Sequence, residues 1–349
     1  MSIKAFLWEI GVLAGTTVGA GMFALPYLLQ TAGWLPNLLY LTILGVLISF
    51  AHLLYFRVLE RDKIGGGLLG PAKHYLGERG LVAALFALLG GLLLTLVVYL
   101  ILGSHFLGLL FPSAHPMLLT FLFWVVATLP VMLRLERMIE SELVGFVIMI
   151  AIVLLIAFTA RIGANLSTVS LIDFKNAFVP FGPILFSLAA WTAVEPIFRF
   201  RMRNRRAEKS PRLVMFAGTG VAIIFYLLFI LTIFGSADRI TPDTLSGLTS
   251  WPAWKLSLLS VLGIFAIWTS YVPIGFEIRN SLMRGLKWPQ PVSIALVALF
   301  PLILVLLGVN NFLGVMGLVG AVFLSFEYLL IVFIAEKAFK FAPDRKSVV

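Results

Sequence analysis

The chain has 349 residues, 61% of them hydrophobic and 12% charged, with a mean hydropathy of +1.06. A soluble domain carries about 25% charged residues, so this composition excludes a globule that covers its surface with polar groups. The formal net charge of +10 fits loops facing anionic lipid better than nucleic acid, because the basic residues lie between apolar runs, and the absence of cysteine excludes disulfides and thiolate chemistry.

A helix that crosses a bilayer needs about 20 apolar residues. Ten runs qualify, at about 5–29, 35–56, 81–110, 117–133, 142–160, 179–198, 213–235, 255–276, 290–308 and 312–335. The first is too long for a signal-peptide core and is followed by further spans, so it reads as the first crossing. With the N-terminus inside, the outer loops hold Arg161, Lys175, Arg239 and Lys255, four of the 26 Lys and Arg residues. The inner loop from Arg199 to Arg212 carries Arg199, Arg201, Arg203, Arg205, Arg206, Lys209 and Arg212. This asymmetry predicts a multi-pass protein of the cell membrane with both termini cytoplasmic. Ten spans divide into repeats of five, about 5–160 and 179–335, within one domain, 1–349. An odd repeat length starts the second half on the opposite face, as an inverted repeat requires.

Within the first span, Gly15-Thr16-Thr17-Val18-Gly19-Ala20-Gly21-Met22 is followed by Pro26. Glycine costs about 1 kcal/mol against alanine in a helix interior, so three glycines in seven positions disfavour continuous helix at mid-bilayer. Irregular backbone survives at that depth only where it lines a cavity. Unwinding frees N–H groups that suit a carboxylate and carbonyls that suit an ammonium group or a cation. Gly15-x-x-x-Gly19 also reads as a close-packing motif between helices. The sixth span repeats the theme over Pro180–Pro196, with Ala189-Ala190 at its centre and Pro196 ending or bending the segment. Interruptions at corresponding places in two halves point to a midplane site.

The run from Gly15 to Pro26 resembles the opening motif of the amino acid/auxin permease and aromatic amino acid permease families. The inner loop around Lys73-His74-Tyr75-Leu76-Gly77 is similar to theirs, as are Phe186–Val194 and Thr269–Glu277. Glycine is common in those families where Ala189 and Ala190 stand here. The resemblance covers most of the chain and implies an all-α, leucine-transporter-type fold of the amino acid–polyamine–organocation superfamily, with helices 1 and 6 broken. By that resemblance the N–H groups of Gly19, Ala20 and Gly21 hold the substrate carboxylate. The carbonyls of Thr16 and Ser187 take the ammonium group, and Ala190 and Trp191 line the side-chain pocket. A sodium site would use Gly15, Val18, Ala266, Thr269 and Ser270, an all-oxygen set suited to a hard cation. Thr269 and Ser270 would equally satisfy themselves on their own helix. Proton coupling would need a titratable group in the membrane; Glu195 and Glu277 are the leading candidates, with Glu327, His52 and His105 behind them. Plain ion pairs, Glu195 to Arg199 or Glu277 to Arg279, account for the first two as well.

Gly65-Gly66-Gly67-Leu68-Leu69-Gly70 matches a dinucleotide fingerprint but no strand or βαβ unit surrounds it. Asn165-Leu166-Ser167 is a glycosylation sequon on an outer loop. No Walker motif, no clustered histidines and no convergent catalytic set occur, so an ATP-driven pump and an enzyme are disfavoured. The reading that follows is a secondary transporter for neutral or aromatic amino acids. It would be coupled to sodium or protons and need no cofactor beyond a possible sodium ion. The alternative is an amino-acid-sensing subunit resembling spore germinant receptor proteins.

Overall fold

The computed structural model describes residues 3–62, 67–133, 142–159, 166–203 and 210–340. Gly65, Gly66, Arg161, Asn165, Arg205, Arg206 and Lys209, named above, lie outside those ranges. Each of the ten apolar runs is helical. Helix α1 (Ile3–Thr17) leads through a 3-10 turn, Ala20–Ala24, into α2 (Leu25–Ala32). Then follow α3 (Trp34–Asp62), α4 (Leu69–Leu110), α5 (Pro116–Met132) and α6 (Glu142–Thr159). The second half opens with α7 (Phe181–Leu188), a short turn, and α8 (Val194–Arg203). It continues through α9 (Pro211–Phe234), α10 (Ala253–Gly285) and α11 (Gln290–Leu306). The last run is α12 (Phe312–Leu318), π-helical Val319–Leu324 and α13 (Ser325–Lys340).

Six helices are long and apolar enough to cross a membrane, and α1 with α2, bent by 52° at their break, makes a seventh crossing if counted as one. Three shorter apolar helices lie at Pro116–Met132, Phe146–Phe158 and Gln290–Leu306. Large apolar side chains such as Phe86, Leu118, Phe158 and Ile224 are exposed on the outer surface of these helices. Patches of that extent are unstable in water and at home against acyl chains. The chain is a multi-pass membrane protein.

The longest interface joins α4 to α10. It is close because Gly263 has no side chain: a Cβ there would lie 2.3 Å from the Phe106 ring. On one side α1 and α3 both pack on α9, and α7 packs on the π-helical stretch. That last contact is backbone to backbone, since a Cβ at Gly320 would come 1.8 Å from the Gly182 carbonyl. Between α2 and α3, Gly33 turns the chain at φ 91°, with the Ser170 carbonyl 2.7 Å from where a Cβ would sit. The amides of Trp34 and Leu35 then donate to the carbonyls of Ser170 and Leu171, at 3.1 and 3.0 Å.

Two polar fixtures hold the ends of the broken helices. Glu9 on α1 is fully buried and accepts a bidentate pair from Arg201 on α8, Nε at 2.7 Å and the terminal nitrogen at 2.8 Å. Trp8 stacks on Phe200 beside it, centroids 4.1 Å apart. The half-helices α1 and α8 are therefore bolted to each other. Removing one partner strands a buried charge, at a cost of about 3–5 kcal/mol. Glu9→Gln alone should lower the thermal inactivation midpoint in detergent, and Glu9→Gln with Arg201→Gln should recover part of the loss. An unchanged midpoint in the single variant would show that the pair holds nothing.

At the other end, the segment between α9 and α10 covers the 3-10 turn, with the Thr244 hydroxyl donating to the Phe23 carbonyl. Thr244 sits in the left-handed region at φ 63°, a strained place for a β-branched residue. Asp243 holds it there by accepting from Thr241 at 2.8 Å and from the Ser246 hydroxyl at 2.8 Å, with His105 on α4 at 3.4 Å. Burial alone would raise the Asp243 carboxyl, but the hydrogen bonds from His105, Ser246 and Thr241 outweigh it and hold the group well below its usual range. A depressed carboxylate stabilises the fold fully above its unfolded value of about 3.9 and loses that contribution only as pH falls below it. Hydrogen exchange over 236–250 should therefore be equally protected by this group at pH 7 and pH 5. Asp243→Asn should lose that protection at both, by about tenfold, and equal protection in wild type and variant would refute the anchor.

Candidate functional site

The first break falls at Val18-Gly19. The last helical turn closes with the Val18 amide on the Ala14 carbonyl at 2.9 Å. Gly19 is then extended, at φ −129° and ψ −150°, and the Met22 amide bonds back to the Gly19 carbonyl at 3.3 Å. Ala20 and Gly21 therefore open a new helical segment, where the first N–H groups have no partner inside it. Those are the N–H groups that the sequence reading expects to face an anion.

The second break falls at Ala189-Ala190, although alanine is a weaker signal for a break than glycine. Ala189 (φ −71°, ψ 120°) and Ala190 (φ −148°, ψ 28°) leave the helix, and the chain resumes in the turn Trp191–Ala193. Both residues keep negative φ, which any L-residue adopts, so glycine is not needed.

The two breaks touch. A Cβ at Gly21 would lie 2.3 Å from the Ser187 hydroxyl and 2.7 Å from the Ser187 Cα. Tyr226 of α9 joins them: its buried hydroxyl lies 2.6 Å from the Thr17 carbonyl and 2.5 Å from the Ser187 carbonyl. The Tyr226 hydroxyl thus occupies the carbonyl of Ser187 and that of Thr17, the neighbour of Thr16. The sequence reading passed over Tyr226. The available signal was a lone phenol in the middle of an apolar span, where a hydroxyl must find an acceptor.

On the far side of Gly19 stands α10. A Cβ at Gly19 would lie 2.9 Å from the Ser270 hydroxyl and 3.3 Å from the Tyr99 hydroxyl. Ser270 donates to the Ala266 carbonyl at 3.0 Å and is hydrogen-bonded to Tyr99, while Thr269 donates to the Phe265 carbonyl at 2.8 Å. Thr269 and Ser270 therefore do bond back to their own helix. Pro273 adds an acceptor, because its missing N–H leaves the Thr269 carbonyl without the usual helical donor. Gly15, Val18 and Ala266 are each buried. Tyr99 and Phe186 meet at 6.3 Å, and Phe23 packs edge-on against Phe106 and Phe229 toward the covering loop.

Trp191 is buried below the second break. Its ring lies edge-on to Tyr55 at 6.2 Å, and its indole N–H donates to Glu327 on α13 at 2.6 Å. Glu195 and Glu277 are drawn together elsewhere, around Gly67. Glu195 accepts from Arg199 at 2.5 and 3.0 Å and from the Gly67 amide at 3.2 Å. Glu277 accepts from Ser281 at 3.1 Å and lies 2.2 Å from where a Gly67 Cβ would be. The Glu195–Arg199 pair anticipated from the sequence is present.

A family model described as transmembrane amino acid transporter protein matches residues 7–335. A curated relative, glutamine transporter 2 of Aliivibrio fischeri, is 24% identical over 332 residues, spanning 89% of this chain and 83% of that protein. Among solved structures, MhsT in complex with L-phenylalanine superposes with a TM-score of 0.69 at 16% identity, over 93% of this chain and 87% of that one. That likeness concerns the fold. Since the family match runs from α1 to α13, both breaks included, the chain belongs to the transmembrane amino acid transporter protein family.

Proposed function

We propose that the protein is a secondary active transporter that moves neutral amino acids across the cell membrane by alternating access, coupled to an ion gradient. The observation that carries this is the contact of two interrupted helices at one place, joined by Tyr226 through a carbonyl of each. Ten spans in two inverted repeats, about 5–160 and 179–335, with cytoplasmic termini, supply the symmetry such a cycle uses. The Gly19, Ala20 and Gly21 amides take the substrate carboxylate. Its ammonium group takes carbonyls of Thr16 and Ser187, displacing or sharing the Tyr226 hydroxyl, with Ala190 and Trp191 flanking the side chain. Gly15, Val18, Ala266, Thr269 and Ser270 are the positions for a sodium ion, and a proton is the other coupling ion. The glutamine-transporting relative supports a small neutral substrate.

The test is uptake of labelled glutamine, phenylalanine and the other neutral amino acids into proteoliposomes under imposed sodium or proton gradients. Saturable, gradient-stimulated uptake is expected. Saturable binding with no uptake under any gradient would favour the sensing role, and neither binding nor uptake would reject the amino acid reading.

A further inference from the structure

Beside the second break lies a polar cluster of which only Ala190 and Trp191 belong to the substrate positions and none to the cation positions. Glu327 on α13 is fully buried, with one carboxyl oxygen 2.6 Å from the Trp191 indole nitrogen. Its other oxygen has no hydrogen-bond partner among the described residues and faces α4 across Gly91, where a Cβ would lie 3.0 Å away. The next residue, Tyr328, accepts the Ala190 backbone N–H and meets His52 Nε2 at 3.1 Å. Two adjacent side chains of α13 thus hold Ala190, in the second break, and Trp191, the residue after it. The other nitrogen of His52 and the hydroxyl of Tyr55, both on α3, also lack partners among the described residues.

The charged and titratable surroundings of Glu327 are few. From α3 come His52 and Tyr55; from α4, Gly91 with no titratable group; from α10, Glu277; from the α7–α8 side, Trp191 and beyond it Glu195 paired with Arg199; from α13 itself, Tyr328. No cation pairs with the carboxyl among the described residues. An ionised carboxylate accepts hydrogen bonds only, whereas the acid also donates one. A single indole donor does not offset the burial of a full charge, so the charge state of this carboxyl depends on whether water or a donor reaches its open oxygen. Its filled oxygen is fixed to the second break, so a movement of that break changes what the open oxygen meets.

We propose that Glu327 is a proton-binding site whose occupancy is tied, through Trp191 and Tyr328, to the geometry of the second break. The proton is held while α13 and the break are closed together, and passes to water when they part. In the transporter reading, on which this coupling rests, one proton accompanies each cycle. It is taken from the phase to which the cluster opens on one side and released to the other. This places proton coupling at Glu327 rather than at Glu195, whose carboxylate Arg199 already neutralises, or at Glu277.

The experiment has a spectroscopic arm and a transport arm. Glu327→Gln is close to isosteric and keeps a carbonyl oxygen for the indole; Trp191→Phe removes the donor instead. In pH-difference infrared spectra of the reconstituted protein, wild type should show a carboxylic-acid C=O band. That band should vanish in Glu327→Gln and shift in Trp191→Phe. With glutamine as the probe, the ratio of proton-gradient-driven accumulation to glutamine exchange should fall about tenfold in Glu327→Gln, and a dye trapped in the vesicles should cease to report glutamine-induced pH change. A band that persists in Glu327→Gln overturns the proposal, as does accumulation in that variant with wild-type dependence on the proton gradient. A band that depends on Glu327 in a protein that neither exchanges nor accumulates any amino acid upholds the proton site and rejects the transporter reading. If Glu327→Gln is not monodisperse in detergent, Trp191→Phe carries both arms, and an unshifted band with an unchanged ratio overturns the proposal.

Discussion

Replacing Gly21 with valine is expected to abolish uptake while the protein still inserts and purifies as wild type. The site leaves no room at this position. The first added carbon would stand 2.3 Å from the Ser187 hydroxyl and 2.7 Å from the Ser187 Cα. The hydroxyl can rotate, but the backbone atom cannot yield without moving the second break. Overpacking of this kind costs about 1–3 kcal/mol, which a protein of this size survives as a fold. The same energy spent on separating the two breaks shifts substrate binding about 5- to 150-fold. Substrate binding to solubilised protein, measured by scintillation proximity beside a thermal-stability scan, separates the two effects. Wild-type affinity in Gly21→Val would show that the substrate does not use the crossing of the two breaks. Gly19 is a milder case: its space is bounded at 2.9 and 3.3 Å by the Ser270 and Tyr99 hydroxyls, both ends of side chains that can turn.

Tyr226→Phe is the second large effect, for a different reason. The phenylalanine fills the same volume, so packing is kept and only the hydroxyl is lost. That hydroxyl serves the Thr17 carbonyl at 2.6 Å and the Ser187 carbonyl at 2.5 Å. Leaving a buried acceptor unpartnered costs about 1–3 kcal/mol, and two acceptors on two different helices lose their common donor at once. Initial uptake rate should fall about tenfold or more. Thermal stability should fall as well, and saturating substrate should restore more of it than in wild type, because the substrate ammonium can replace the missing donor. Equal stability and equal uptake in Tyr226→Phe would show that the two breaks do not depend on this bridge.

How far the sequence led can be judged at these same residues. The first break was legible because its cause is local: glycine at 15, 19 and 21 with Pro26 beyond is unfavourable for a helix whatever surrounds it. The structure puts the interruption at Val18-Gly19, inside that run. The second break carried a weaker signal, since alanine is the best helix former. Its cause is tertiary. The N–H of Ala190 is taken by Tyr328, the carbonyl of Ser187 by Tyr226, and Ser187 itself bonds to the Pro183 carbonyl at 2.8 Å. Partners from α9 and α13 replace the lost helical bonds, and no spacing within the sixth span reveals them. Trp191 illustrates the same limit. Its place beside the break was readable, but the direction of its indole was decided by Glu327, 136 residues away. Glu9 and Arg201, 192 residues apart, likewise meet only because the two broken helices cross.

The central claim is that an amino acid binds where the two breaks meet. An experimental structure of the protein purified with glutamine tests it most directly. The account predicts the carboxylate at the amides of Gly19, Ala20 and Gly21, and the ammonium group at the carbonyls beside Tyr226. Ligand density bound elsewhere, or a continuous helix through Val18 and Gly19 with ligand bound, would contradict it.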